Sequence, residues 1–141
     1  MRMRSIAGLL LLLLVAGCST TGGPARPAAS ACTETGLASW YRTEDGRLLT
    51  ANGERYRPDA LTAAHRFLPF GTEVLVTSLA TGRSVLVRIN DRGPFVAGRI
   101  IDLSSKAARV LGMQRDGVIR VHLQVYAEPA GVMRRCLLRN P

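Results

Sequence analysis

This sequence predicts a mostly-β chain closed into a small barrel, with one or two short helices. Three observations carry that expectation. Apolar and polar residues alternate over several short runs, turn-forming residues separate the runs, and only one stretch bears both a helix start and a helix stop signal. Many short strands with so little helix bury their apolar faces most simply by closing on one another. The 141 residues suffice for one domain behind a leader.

Taken in order, a first strand is expected over 36–41, ending in Trp40, the one tryptophan. Residues 42–60 are loop-rich, with Asp45-Gly46, Asn52-Gly53 and Pro58 as breakers. A short apolar strand follows over 61–64. Residues 72–78 alternate, with Val74 and Val76 on one side, and Ala80-Thr81-Gly82-Arg83 turns the chain into a hairpin partner over 84–90. There Val85, Val87 and Ile89 face one way and Ser84, Leu86 and Arg88 the other. Residues 99–103 form another short strand. Ser104 caps a helix that runs to about Leu111 and is stopped by Gly112. A last strand over 118–126 sets Ile119, Val121, Leu123 and Val125 against Arg120, His122 and Gln124, with His122 read as surface.

The N-terminus is of a different kind. Met1-Arg2-Met3-Arg4 is followed by an apolar run from Ile6 to Ala16 and then by Gly17-Cys18. A basic start, a short apolar core and small residues make a secretory signal, too short to span a bilayer. Val15-Ala16-Gly17-Cys18 resembles the bacterial lipobox, which implies cleavage after residue 17 and a lipid-bearing Cys18. Several acyl chains, each buried CH₂ contributing about 0.8 kcal/mol, would hold the chain to a membrane. Ser19 rather than Asp after that cysteine favours the outer membrane, on its periplasmic face. Residues 18–35 are expected to be a flexible tether of Ser, Thr, Gly, Pro and Ala, 36–126 the domain, and 127–141 a tail. Cys32 and Cys136 flank the domain, and an even pair in an oxidising compartment reads as a disulfide.

The chemistry-bearing residues lie in three stretches. Asp91 ends an alternating run and precedes Arg92-Gly93-Pro94, so its carboxylate is held rigidly yet within reach. Glu54 follows Asn52-Gly53, and His65 follows Thr62-Ala63-Ala64. Turn chemistry alone accounts for any one of them; the three together are more specific. With Ala38-Ser39-Trp40-Tyr41, Leu68-Pro69-Phe70-Gly71 and Arg99-Ile100-Ile101-Asp102-Leu103-Ser104, they make the region 36–126 resemble the rare lipoprotein A family. That resemblance implies a six-stranded double-psi β-barrel and a lytic transglycosylase of peptidoglycan. No metal-ligand cluster stands out in the residues, and the chain is expected to work as a monomer without a cofactor.

Such an enzyme cleaves the MurNAc–GlcNAc β-1,4 bond by internal attack of the muramic acid O6, leaving a 1,6-anhydro end. One carboxyl group serves as acid and then as base, and a second stabilises charge. Carried over by residue, the resemblance gives Asp91 and Glu54 as the catalytic carboxylates, with His65 orienting one of them or the sugar. Asp102 competes for the acid role, because related barrel glycosidases and expansins keep an essential Asp there; its alternative is a structural carboxylate. Trp40 and Tyr41 are candidates to stack on a sugar, and Asn90, Arg92 and Asp59 to bind it.

The chain carries 18 arginines and one lysine against 10 acids, a net charge of +9. Loss of a leader bearing Arg2 and Arg4 lowers that by two. A basic exported domain without helix-turn-helix or zinc-finger spacing points away from nucleic acid and toward anionic envelope material. Glycan stripped of stem peptides exposes lactyl carboxylates, which suit arginine. Codon usage in a G- and C-rich genome is the competing origin of the arginines.

Three departures from the family pattern stand out. Arg42 to Leu49 replaces a Gly and a Phe-His-Gly stretch. Arg57 stands where members carry an Asp, with Asp59 two residues on. Only 15 residues follow Tyr126, too few for the SPOR domain of many members, so septal recruitment by that route is not expected. The alternative function is an expansin-like module that binds or loosens the wall without cutting it.

Overall fold

The computed structural model describes residues 32–41 and 49–130. The expected leader, Cys18, residues 42–48 and Cys136 lie outside them. Cys32 is disulfide-bonded, and its expected partner, Cys136, falls outside the described residues.

Six strands and one helix follow one another as β1 (Thr33–Trp40), β2 (Thr62–His65), β3 (Glu73–Ser78), β4 (Ser84–Asp91), β5 (Arg99–Leu103), α1 (Ser105–Leu111) and β6 (Ile119–Ala127). The strands close into a barrel in the order β1-β5-β2-β4-β3-β6, consistent with the double-psi barrel. Two pairs are parallel, β1 with β5 and β2 with β4. The β3–β4 hairpin forms as its alternation requires, with Val74 opposite Val87 and Val76 opposite Val85.

The first strand starts earlier than its composition suggests. Thr33, Glu34 and Thr35 pair with Gln124, Leu123 and His122 of β6, so three residues expected in the tether belong to the barrel wall. A polar strand edge without large apolar residues looks like linker until its partner strand is known.

Val74, Val76, Val87, Ile89, Ile101, Leu103, Val121 and Leu123 fill the interior. Each contributes about 1.5–3 kcal/mol of burial, set against the conformational entropy lost on ordering it. Gly36 is required by a close approach: a Cβ there would meet Ile100 Cγ2 at 2.7 Å. Ile100 is the extra residue of the β1–β5 register shift, between the pairs Leu37–Arg99 and Ala38–Ile101.

Helix α1 begins where Ser104 Oγ accepts the Ala107 N–H and ends at Gly112, whose φ of +74° is left-handed. It lays Ala107, Ala108 and Leu111 against the barrel. Ser104 Oγ also donates to the Ala60 carbonyl at 2.6 Å, and the Lys106 N–H donates to the Pro58 carbonyl. The helix start therefore holds the loop that leads into β2.

Candidate active site

Strand register assembles the candidate residues. Ser39 pairs with Asp102, Asp102 with Ala64, and Ala64 with Asp91. One cross-strand row thus runs Ser39–Asp102–Ala64–Asp91 over β1, β5, β2 and β4. His65 is the next residue along β2, opposite Ile101.

Asp91 ends β4 and is buried, 5% exposed. Its Oδ1 accepts the Ala51 N–H at 2.9 Å and the Arg92 N–H at 2.8 Å. Its Oδ2 accepts the Tyr41 hydroxyl at 3.0 Å. Tyr41 follows β1, is fixed edge-on by the Tyr56 ring, and accepts the Ser105 hydroxyl on its carbonyl.

The turn bearing Glu54 docks on the same strand end. Leu49 bridges to Arg55, and the Asn52 N–H donates to the Asn90 carbonyl. Glu54 then receives Arg88 in a two-pronged pair, both contacts 2.8 Å, with the amides of Asn52 at 2.8 Å and Asn90 at 3.1 Å. The Arg88 guanidinium, followed by the two amides, holds the Glu54 carboxyl down to about 2. Glu54 in return pushes the Arg88 pKa up. The pairing thus favours the Glu54 carboxylate over its protonated form.

His65 is 2% exposed. Its Nδ1 accepts two backbone N–H groups, of Phe67 and Leu68, both at 3.1 Å. Its Nε2 lies 3.3 Å from Glu34 Oε2. The ring is thus bound to the β2–β3 loop and to β1. It connects to Asp91 through Arg92, whose Nη1 donates to the carbonyls of Leu68 at 3.0 Å, His65 at 3.3 Å and Asp91 at 3.4 Å. The Arg92 guanidinium stacks on Phe70, 3.8 Å from the ring centroid, and burial lowers its pKa.

Asp102 is buried within the row; its Oδ1 accepts the Ser39 hydroxyl and Arg99 Nη2, the latter at 2.6 Å. Asp59 lies apart, exposed and ion-paired with Arg57 at 3.3 Å. Arg57 thus engages Asp59, while Glu54 is held by Arg88, Asn90 and Asn52. Trp40 packs against the core.

Three contributors do not stand out in the sequence alone: Glu34, Arg88 and Arg99. Arg88 was within reach, since it lies two residues from Asn90 on the polar side of β4. Glu34 was hidden by its assignment to the tether.

Residues 33–123 match a family model described as lytic transglycolase. The chain is 59% identical over 90 residues to a probable endolytic peptidoglycan transglycosylase RlpA of Synechocystis, covering 64% of this chain and 28% of that protein. It is 51% identical over 89 residues to the endolytic peptidoglycan transglycosylase RlpA of Pseudomonas aeruginosa, covering 63% and 26%. The chain spans about a quarter of the length of such relatives. Among solved structures, an expansin from Clavibacter michiganensis superimposes with a TM-score of 0.54 at 26% identity, over 70% of this chain and 52% of that one. A papain inhibitor from Streptomyces shares the fold, with a TM-score of 0.55 at 21% identity over 67% and 94%.

Proposed function

Because the chain belongs to the lytic transglycolase family, we propose that its barrel cleaves the MurNAc–GlcNAc β-1,4 bonds of peptidoglycan and leaves 1,6-anhydro ends. The observation that carries the reading is the contrast between two carboxylates on one strand end. Glu54 is fixed as an anion. Asp91 is buried, with one oxygen taken by two backbone N–H groups and the other facing a hydroxyl.

Asp91 is the general acid. The Tyr41 hydroxyl donates to the carboxylate form of Oδ2 and accepts from the carboxylic acid form, so Oδ2 can lose and regain a proton without losing its partner. Asp91 gives its proton to the glycosidic oxygen as the C1–O4 bond breaks. The sugar's own O6 closes on C1, and its hydroxyl proton returns to Asp91, which restores the acid with no water consumed. Glu54 provides fixed negative charge beside the oxocarbenium-like transition state. Asp102, held by Arg99 and Ser39, supports the row as a structural carboxylate.

The domain prefers strands stripped of stem peptides, where lactyl carboxylates meet an arginine-rich surface. Lipid on Cys18 anchors it at the periplasmic face of the outer membrane; Cys18→Ser would release it to the soluble fraction. The likeness to an expansin supports the second reading, a module that binds wall glycan without cutting it. Product mass spectrometry separates the two. Soluble 1,6-anhydro fragments released from peptide-free glycan by the wild type, and absent with Asp91→Asn, support the enzyme. Glycan binding with no fragments from the folded wild type supports the module.

A further inference from the structure

His65 has both ring nitrogens committed. Nδ1 can accept the Phe67 and Leu68 N–H groups only with its lone pair free, so the ring proton sits on Nε2 and points at Glu34. A ring held this way is not a proton carrier for the sugar. It is a staple on the 65–68 turn, which is gripped twice. The imidazole takes its N–H groups, and Arg92 takes the carbonyls of His65 and Leu68. Arg92 is also the residue whose backbone N–H donates to Asp91 Oδ1.

We propose that Glu34 is a positioning residue for Asp91, acting through the His65 ring and the 65–68 turn. The path is continuous: the Glu34 carboxylate accepts Nε2–H and fixes the ring, Nδ1 sets the Phe67 and Leu68 amides, the carbonyls of the same turn seat Arg92, and the Arg92 N–H aims Asp91. Glu34 is suited to the task. It lies on β1, whose pairing with β6 at Glu34–Leu123 fixes its backbone, and its side chain is largely shielded, 19% exposed. Without an acceptor at that place the buried Nε2–H loses its partner and the ring its second point of attachment, and the other tautomer gives no relief, because Nδ1–H would confront two N–H donors.

The proposal rests on the transglycosylase reading only for its kinetic arm. The test uses the isotopically labelled, detergent-solubilised full chain, as wild type, Glu34→Gln and Glu34→Leu. In the wild type, imidazole nitrogen NMR should show a protonated Nε2 and a bare Nδ1. Glu34→Leu should move the amide signals of Phe67, Leu68 and Arg92, and lower kcat roughly 10- to 100-fold, the scale on which a misplaced catalytic group loses rate, with KM for peptide-free glycan unchanged. Glu34→Gln keeps an acceptor and should restore both signals and rate. A wild-type proton on Nδ1 overturns the proposal, and does so even if the leucine variant fails to fold. Unmoved Arg92 and Leu68 amides in a folded Glu34→Leu protein overturn it as well. An inactive wild type would refute the transglycosylase reading, while the tautomer and amide signals would still decide the role of Glu34.

Discussion

Asp91 and Asp102 are register partners of the same residue, Ala64, on opposite sides of β2. Two strand spacings put their backbones about 10 Å apart. The pairing on the Asp91 side follows a register shift between Ala63 and Ala64, and such a shift re-aims a side chain at a strand end. The two carboxylates therefore share a row but not an environment. Among the described residues, Asp102 meets a guanidinium and a serine hydroxyl, while Asp91 meets two backbone amides and a tyrosine.

That contrast predicts how the two differ on substitution. Asp91→Asn keeps a carbonyl oxygen for the two N–H donors but removes the transferable proton. Release of anhydro fragments should fall about 10²- to 10⁴-fold, the usual contribution of a general acid–base group, with the thermal midpoint near wild type. An Asp91→Asn protein that retains wild-type turnover would remove Asp91 from the chemistry.

Asp102 predicts a stability effect instead. Arg99→Met leaves its largely buried carboxylate without its cation and should cost about 3 kcal/mol. Adding Asp102→Asn removes the orphaned charge and should recover part of the loss. Urea denaturation of the two single variants and the double variant measures the coupling. Additive losses would mean that the 2.6 Å contact carries no interaction energy.

Much of this architecture was legible in the chain. Strict alternation in β4 and β6 gave their inward faces, and the cap at Ser104 and stop at Gly112 bounded α1, because each depends on neighbours close in sequence. The strand order was not legible from periodicity; it rests on pairings such as Ala64 with Asp91 that join residues far apart. The same reason explains the site. Glu54 and Asp91 stood out as single residues, but the Arg88 pair that fixes one as an anion, and the Glu34 contact that orients His65, arise only once the strands are side by side.

Glu54 makes a prediction about acid. Folding lowers its pKa from 4.5 to about 2, so the folded state binds this proton less readily than the unfolded one. The resulting stabilisation is complete above pH 4.5 and is lost as pH falls through about 2. With the Glu54 side chain 42% exposed, solvent screening limits it to the order of 1 kcal/mol. Thermal midpoints of wild type and Glu54→Gln should differ at neutral pH and converge toward about pH 2. A gap that stays constant across that range would mean that the Arg88 pair does not contribute through the Glu54 charge.

The aromatic residues around the site separate into packing and recognition. Trp40 packs against the hydrophobic core, so Trp40→Ala should destabilise the fold by about 3 kcal/mol or more through the cavity it leaves. Phe95 has the opposite character. Its ring lies over Gly93, where an added Cβ would meet Cε2 and Cδ2 at 3.6 and 3.7 Å, yet it is 81% exposed, four residues past Asp91 in the chain. An apolar ring held open to solvent offers a sugar a face to stack on. Phe95→Ala should therefore leave the thermal midpoint unchanged and raise KM for peptide-free glycan several-fold, by the roughly 1 kcal/mol of a ring contact. Calorimetric melting and glycan titration of the two variants decide the matter. A stable Phe95→Ala protein with wild-type KM would take the ring out of recognition, and a stable Trp40→Ala protein with weakened glycan binding would return Trp40 to the sugar.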